Sequence, residues 1–198
     1  MCRFVESIRV ENGRVHDLEY HNARLNRTRH DFFGLRTEID LHQIIPIPPD
    51  NGSLFKCRII YDDQIRNIEF LPYRPRMIKT LKLVRDDGID YAYKYENRSG
   101  IDGLMNLREA QDDILIVRHN RITDTSFSNI VFRKGCRYLT PADPLLKGTK
   151  RQKLLDGGII EEADIKRSDL SYFDGACLIN AMLEISTGLW IRIDDIRE

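Results

Sequence analysis

The sequence has few cysteines, no long apolar run and no net charge, and each absence excludes a class of protein. Four scattered cysteines, with no CxxC or Cys/His cluster, give no sign of a zinc site. No apolar run reaches the roughly 18 residues that a membrane helix requires, so we expect no membrane partner. The 31 basic residues balance the 31 acidic ones, which argues against a nucleic-acid partner.

The sequence also contains no motif typical of a nucleotide-binding loop, and we expect its opening residues not to be a secretion signal. Neither GxGxxG nor GxxxxGK[ST] occurs, so neither dinucleotide nor P-loop binding is indicated. The opening residues carry charge from Arg3 onward, which is not typical of a signal peptide. Together with the scattered cysteines, this predicts a cytoplasmic protein with reduced thiols.

Hydrophobic periodicity predicts more strands than helices, without strict alternation, which favours an α+β fold. Residues 3–10 and 14–16 flank an Asn-Gly turn signal and are predicted to form a β-hairpin. Spaced apolar residues over 19–33, followed by Gly34, predict a helix with a glycine cap. Further helices are predicted at 38–44, 97–109 and 149–156, and strands at 54–61, 65–71, 77–85, 113–118, 129–133, 137–140, 158–165, 176–180 and 189–193.

An ordered series of short motifs carries more information than composition. It comprises YKYENR at 93–98, ITDTSFSNI at 122–130, TP at 140–141, LKGTKR at 146–151 and INAM at 179–182, and the opening segments FVESIRVENGR (4–14) and HNARL (21–25) fit it too. Each motif alone is weak, but their order is specific. The series resembles the class IV aminotransferase family, the fold-type IV pyridoxal-phosphate (PLP) enzymes, which include branched-chain and D-amino-acid aminotransferases and aminodeoxychorismate lyase.

The resemblance covers about residues 3 to 185 and implies a two-lobe fold of the D-amino-acid aminotransferase type. We expect a small N-terminal α/β lobe at 1–80 and a larger, pseudobarrel-like lobe at 81–198. Relative to the family, the segment before the first motif is missing, so we expect a shortened first lobe. Family sites lie near a dimer interface, which implies a homodimer.

PLP is the cofactor that the resemblance implies, and three residues match its main contacts. Lys94 matches the lysine that forms a Schiff base with PLP and then moves the substrate Cα proton. Asp124 stands where most members have Glu, facing the pyridine nitrogen that a carboxylate keeps protonated. Arg24 matches the arginine that binds the cofactor phosphate, a role that suits a planar guanidinium.

The resemblance also implies smaller contacts with the cofactor. A helix that begins near Gly148 and Thr149 would offer its free N–H groups to the phosphate. We expect amide contacts from Ala181 and Met182 as well. The full predicted cofactor set is Arg24, Lys94, Asp124, Ser128, Asn129, Gly148, Thr149, Ala181 and Met182. Taken without the resemblance, residues 123–126 are typical of a polar turn, and Arg24 of a solvated helix arginine.

Two residues are candidates for binding substrate. The stretch 64–70 looks like the strand of D-amino-acid aminotransferases whose Arg and His hold the substrate carboxylate. Arg66 matches that Arg, whereas Ile68 replaces the His, and an exposed arginine on an edge strand is the alternative. Tyr93, next to Lys94, is the second candidate.

These assignments predict a PLP-dependent enzyme that acts on a small amino or keto acid, with transamination favoured. The alternative reaction is β-elimination of the aminodeoxychorismate lyase type, toward which YKYENR and the Asn-Ala pair at 180–181 lean. Both reactions begin when Lys94 removes the Cα proton. A non-catalytic PLP-binding homologue is a third possibility.

Overall fold

The computed structural model describes residues 2–186 and 189–198, which cluster into two compact units. The first unit comprises Met1–Pro75 and Tyr93–Asn97, and the second comprises Arg76–Ala92 and Arg98–Glu198. The single boundary predicted near residue 80 therefore differs from the structure, because a later segment returns to the first unit.

The first unit contains a four-stranded antiparallel sheet in the order β2-β1-β3-β4. Its strands are β1 (Phe4–Glu11), β2 (Arg14–Val15), β3 (Leu54–Tyr61) and β4 (Ile65–Pro72). The predicted hairpin is confirmed, since β1 pairs with β2 across a turn in which Asn12 and Gly13 have φ of 50° and 68°. Positive φ at both positions is typical of the tightest hairpin turns.

Helix α1 (Leu18–Phe33) supplies much of the core of this unit, and a short helix α2 (Leu41–Ile44) follows it. The predicted glycine cap is confirmed, because Gly34 has φ of 65° and its N–H donates to His30 O at 2.9 Å. Alternate residues of β1 are buried together with Leu25 of α1, as period-2 strand geometry requires.

The segment Tyr93–Asn97 returns to the start of β1. The Val5 N–H donates to Lys94 O, and the Glu96 N–H donates to Arg3 O, both at 2.9 Å. A bridge between Phe4 and Tyr95 completes this short pairing. The backbone of Lys94 is therefore fixed by β1 rather than by the neighbours that flank it in sequence.

The second unit contains two sheets, in the orders β13-β5-β6-β7 and β10-β9-β8-β11-β12. Its elements are β5 (Leu81–Arg85), α3 (Ser99–Met105), β6 (Asp113–Arg118), β7 (Arg121–Thr125), β8 (Asn129–Lys134), β9 (Arg137–Pro141), α4 (Thr149–Asp156), β10 (Glu161–Ala163), β11 (Gly175–Ile179), β12 (Trp190–Ile191) and β13 (Ile196–Arg197). Leu115 and Val117 of one sheet share a core with Phe132 and Leu178 of the other.

Strand β7 was not predicted, because its residues 123–125 are polar and resemble a turn. They are nevertheless buried, and the Thr123 hydroxyl donates to Ile116 O at 2.9 Å on the neighbouring strand. Buried polar groups are tolerated in a strand when each finds a hydrogen-bond partner. Asp124 therefore lies on a buried strand.

Other differences lie at element ends. The predicted strand at 77–85 begins only at Leu81, and the predicted helix at 97–109 is limited to Ser99–Met105. Within the described part of the chain, no helix is long and apolar enough to span a bilayer.

Candidate active site

The predicted site residues divide between the two units. The first unit contains Arg24, Arg66, Tyr93 and Lys94, and the second contains Asp124, Ser128, Asn129, Gly148, Thr149, Ala181 and Met182.

Arg24 is buried in an ion pair with Glu6, a residue that the sequence analysis did not single out. Glu6 is fully buried on β1, between Phe4 and Ile8 on the same face. Arg24 Nε donates to Glu6 Oε1 at 2.9 Å, and Nη2 donates to Oε2 at 2.6 Å. Two parallel bonds of this kind fix the plane of a guanidinium. Arg24 is therefore not the solvated helix arginine considered as its alternative.

His21 contacts the same carboxylate from one turn earlier on α1. Its Nδ1 lies 2.6 Å from Glu6 Oε2. Burial alone would raise the pKa of Glu6, but the charge of Arg24 and hydrogen bonds from His21 and Arg24 outweigh it and hold that pKa at about 2. Burial lowers the pKa of His21, so the imidazole adds a donor without adding a second buried charge.

Lys94 is half-buried, and the aromatic residues on either side of it are anchored to Phe4. The rings of Tyr93 and Tyr95 lie 6.3 Å and 5.4 Å from the Phe4 ring, centroid to centroid. Tyr93 also donates its hydroxyl to Asp31 Oδ2 at 3.1 Å. The lysine thus sits on a short segment fixed both by backbone pairing and by ring packing.

Arg66, predicted to bind a substrate carboxylate, lies on edge strand β4 with a side chain 41% exposed. Its Nε donates to Asp62 Oδ1 at 2.7 Å, and its Nη2 donates to Asp63 Oδ1 at 2.8 Å. This geometry matches the alternative, an exposed arginine on an edge strand that pairs with aspartates of the adjoining turn.

Asp124 is a buried carboxylate held by two neutral donors. Leu146 N–H donates to Oδ2 at 2.9 Å, and Asn129 Nδ2 donates to Oδ1 at 2.7 Å. Within the described residues, no lysine or arginine forms an ion pair with it. Burial raises the pKa of Asp124 to about 6, although these hydrogen bonds and the nearby charge of Arg151 act in the opposite direction.

Helix α4 begins beside this carboxylate, and Gly148 caps it. A Cβ atom on Gly148 would overlap Asn129 Oδ1. The first turn of α4 is buried, including Thr149 and Lys150. Lys150 Nζ lies 2.5 Å from Glu184 Oε1, which neutralises the buried ammonium group at this end of the helix.

Ser128 and Met182 make internal contacts where cofactor contacts were predicted. The Ser128 hydroxyl lies 2.8 Å from Thr125 Oγ1 and closes the turn between β7 and β8. The Met182 N–H, expected to meet the phosphate, donates instead to Asn180 Oδ1 at 2.8 Å. An asparagine commonly bonds the backbone two residues on, so this is a local turn contact, and the contact of Met182 with the phosphate stays a prediction. Ala181 is half-buried in the same turn.

The side chains present fit the chemistry of PLP group by group. An amine is needed for its aldehyde, a cation for its phosphate and an acid for its ring nitrogen. Lys94, Arg24 and Asp124 are residues of those three types, and each is fixed by its surroundings.

A family model described as amino-transferase class IV matches residues 74–187. A protein of Haemophilus influenzae with no characterised function is 36% identical over 185 residues, which are 92% of this chain and 98% of that protein. Among solved structures, a "putative 4-amino-4-deoxychorismate lyase" from Haemophilus somnus matches with a TM-score of 0.87 and 32% identity, over 92% of this chain and 97% of that one.

A structure from Mycobacterium tuberculosis, described as a hypothetical aminotransferase in its PLP-bound form, shares the fold. Its TM-score is 0.77 at 17% identity, over 96% of this chain and 80% of that one. These likenesses confirm the predicted fold class, an α+β fold of the fold-type IV kind.

Asp124→Asn should change how stability depends on pH. The folded-state pKa of Asp124 is about 6 against an ordinary 3.8, so its carboxyl stays protonated when folded but ionises when unfolded between those values. The contribution of Asp124 to the wild-type free energy of unfolding should therefore fall with rising pH by up to about 1 kcal/mol per pH unit over this window, and level off above it.

Asparagine does not titrate, so the variant should lack this component. Urea denaturation of cofactor-free protein at pH 4 to 7 measures it. Asp143→Asn is the matched control, because that side chain is 70% exposed, and its curve should parallel the wild type. Parallel curves for Asp124→Asn and wild type would refute the raised pKa.

Arg24→Ala should destabilise the first unit strongly, because it leaves the Glu6 carboxylate buried without its cation. Removing one partner of a buried pair costs about 3–5 kcal/mol. Denaturation by urea near pH 7 gives the free energy of unfolding. Arg27→Ala, at an exposed position on the same helix, should change it by less than about 0.5 kcal/mol. Equal losses in both variants would rule out a structural role for the pair.

Proposed function

Because the chain belongs to the amino-transferase class IV family, we propose that it is a PLP-dependent enzyme acting on an amino-group substrate. The observation that carries this proposal is the state of Asp124. A buried carboxylate with neutral donors on both oxygens and a raised pKa is unusual for a purely structural acid. Such a group gains most from a cationic partner, which a protonated pyridine nitrogen supplies.

Lys94 is proposed as the catalytic residue. When bound, PLP supplies an electron sink for the bond that breaks at the substrate carbon. Lys94 would hold the cofactor through its Nζ. Once the substrate amine takes that place, the released Nζ would take the proton from the substrate Cα and return it to the product. A lysine in this role must approach both the cofactor aldehyde and the substrate Cα reproducibly. The pairing of its backbone with β1 supports such positioning.

Asp124 and Arg24 are proposed to bind opposite ends of the cofactor. Asp124 would face the ring nitrogen, where low local dielectric strengthens an ion pair. Arg24 would contact the phosphate, with Glu6 fixing the orientation of the guanidinium. The start of α4, at Gly148 and Thr149, would add backbone donors.

Two reactions share the removal of the Cα proton, and we favour elimination of the lyase type over the transamination that the sequence favoured. The structure named for a 4-amino-4-deoxychorismate lyase is 32% identical, whereas the aminotransferase structure is 17% identical and supports the fold alone. Moreover, the residue that suggested an aminotransferase carboxylate site, Arg66, is held by Asp62 and Asp63. Transamination is the second candidate. A homodimer remains a proposal.

Covalent attachment through Lys94 tests the proposal. Purified protein incubated with PLP should develop a visible absorption band that borohydride removes, and mass spectrometry should then place the pyridoxyl mass on Lys94. Lys94→Ala should lose the label, whereas Lys79→Ala, at an exposed lysine, should keep it. A label on any other lysine would remove Lys94 from the mechanism.

Activity assays on the same protein preparations distinguish the two reactions. Cleavage of 4-amino-4-deoxychorismate, followed by mass spectrometry of the products, would identify a lyase. Release of a 2-oxo acid from a panel of L- and D-amino acids, with keto acids as acceptors, would identify a transaminase. PLP attachment with neither activity would leave a binding homologue.

A further inference from the structure

Asp124, Asn129 and Leu146 form a closed ring of hydrogen bonds. Asn129 Nδ2 donates to Asp124 Oδ1 at 2.7 Å and also to the Leu146 carbonyl at 2.8 Å. The Leu146 N–H returns to Asp124 Oδ2 at 2.9 Å. One amide group thus links the end of β7, the start of β8 and the loop before α4.

Gly148 lies against this ring of hydrogen bonds, and its backbone conformation does not require a glycine. Its φ and ψ are −70° and 146°, which any L-residue adopts. The constraint is steric, since a Cβ atom would overlap Asn129 Oδ1 and lie 3.2 Å from Asn129 Cγ.

Asn129 cannot move aside cheaply. The residue is 6% exposed, and both hydrogen bonds of Nδ2 depend on the present position of the amide. A side chain at residue 148 would therefore break the bond to Asp124 or displace the start of α4. Either outcome leaves a buried polar group without a partner, which is costly.

We propose that Asn129 and Gly148 are positioning residues for Asp124: Asn129 fixes the carboxylate, and Gly148 leaves the space that Asn129 occupies. This inference rests on the proposed role of Asp124 toward PLP. It revises the sequence-based assignment of Asn129 as a direct cofactor contact, and it gives Gly148 a steric role in addition to the backbone contact proposed above. It also accounts for an aspartate where most family members have glutamate, because the chain itself immobilises the shorter carboxylate.

A double-mutant cycle of Gly148→Ala and Asn129→Ala tests the proposal on the full chain with added PLP. If Gly148 acts only by leaving room for Asn129, the double variant should be no worse than Asn129→Ala alone, because the group that clashes is gone. The readouts are the PLP dissociation constant and the pH midpoint of the visible band of bound PLP.

Each single variant should weaken PLP binding about 10-fold to 100-fold, the range for a hydrogen bond to a charged group. The pH midpoint of the visible band should move by the same amount in both single variants and in the double variant. Gly100→Ala is the matched control, since a Cβ there meets nothing within 4 Å, and it should match the wild type in both readouts.

Additive losses in the double variant would overturn the proposal, as would an unchanged pH midpoint in Asn129→Ala. If Gly148→Ala does not fold, a double variant that does fold supports the steric link. A double variant that also fails to fold overturns it. If Asn129→Ala does not fold, Asn129→Ser takes its place in the cycle.

Failure of the proposed function is distinguishable from failure of this inference. Should the wild type bind no PLP, the same variants are compared by urea denaturation without cofactor. Loss of the Asn129 donor removes an interaction that lowers the pKa of Asp124, so the pH range over which stability falls should extend above pH 6 in both singles. An unchanged range would overturn the inference independently of PLP.

Discussion

The hydrogen bonds to the buried Asp124 carboxylate are the constraint on which the junction of β7, β8 and the loop before α4 depends. A carboxylate removed from water must find donors within the chain. Leu146 supplies a backbone donor and Asn129 a side-chain donor, so the strand, the next strand and the loop before α4 are fixed relative to one another. The glycine that caps α4 follows from the same arrangement.

The first unit also contains a buried carboxylate, but the pKa of that group shifts in the opposite direction. Glu6 is also fully buried, but its donors are the charged Arg24 and the neighbouring His21, and its pKa falls to about 2. Asp124 has only neutral donors, and its pKa rises to about 6. A cation bonded directly to the carboxylate accompanies the lowered pKa of Glu6, whereas the charge of Arg151 lowers the pKa of Asp124 too little to offset burial. Glu6 has its countercharge among its hydrogen-bond donors, whereas the two hydrogen-bond donors described for Asp124 are neutral.

Much of the fold follows from local sequence patterns, whereas the contacts around the site do not. The Asn-Gly turn and the apolar spacing before Gly34 suffice to predict the first hairpin and α1. Strand β7 is not predicted from local patterns, because its polar residues are stabilised by hydrogen bonds to a neighbouring strand, such as that from Thr123 to Ile116 O. Pairings like Glu6 with Arg24 span 18 positions, and only the folded chain brings them together.

The ionisation of Asp124 within the folded chain is the central claim, and it can be measured directly. Carbon-13 NMR of protein labelled at aspartate Cγ, titrated from pH 3 to 8 without cofactor and assigned with the Asp124→Asn spectrum, follows this one carboxyl group. A midpoint near 6 is the result that burial with neutral donors requires. A midpoint at or below 3.8 would show that the carboxylate is solvated or ion-paired, and would contradict the account.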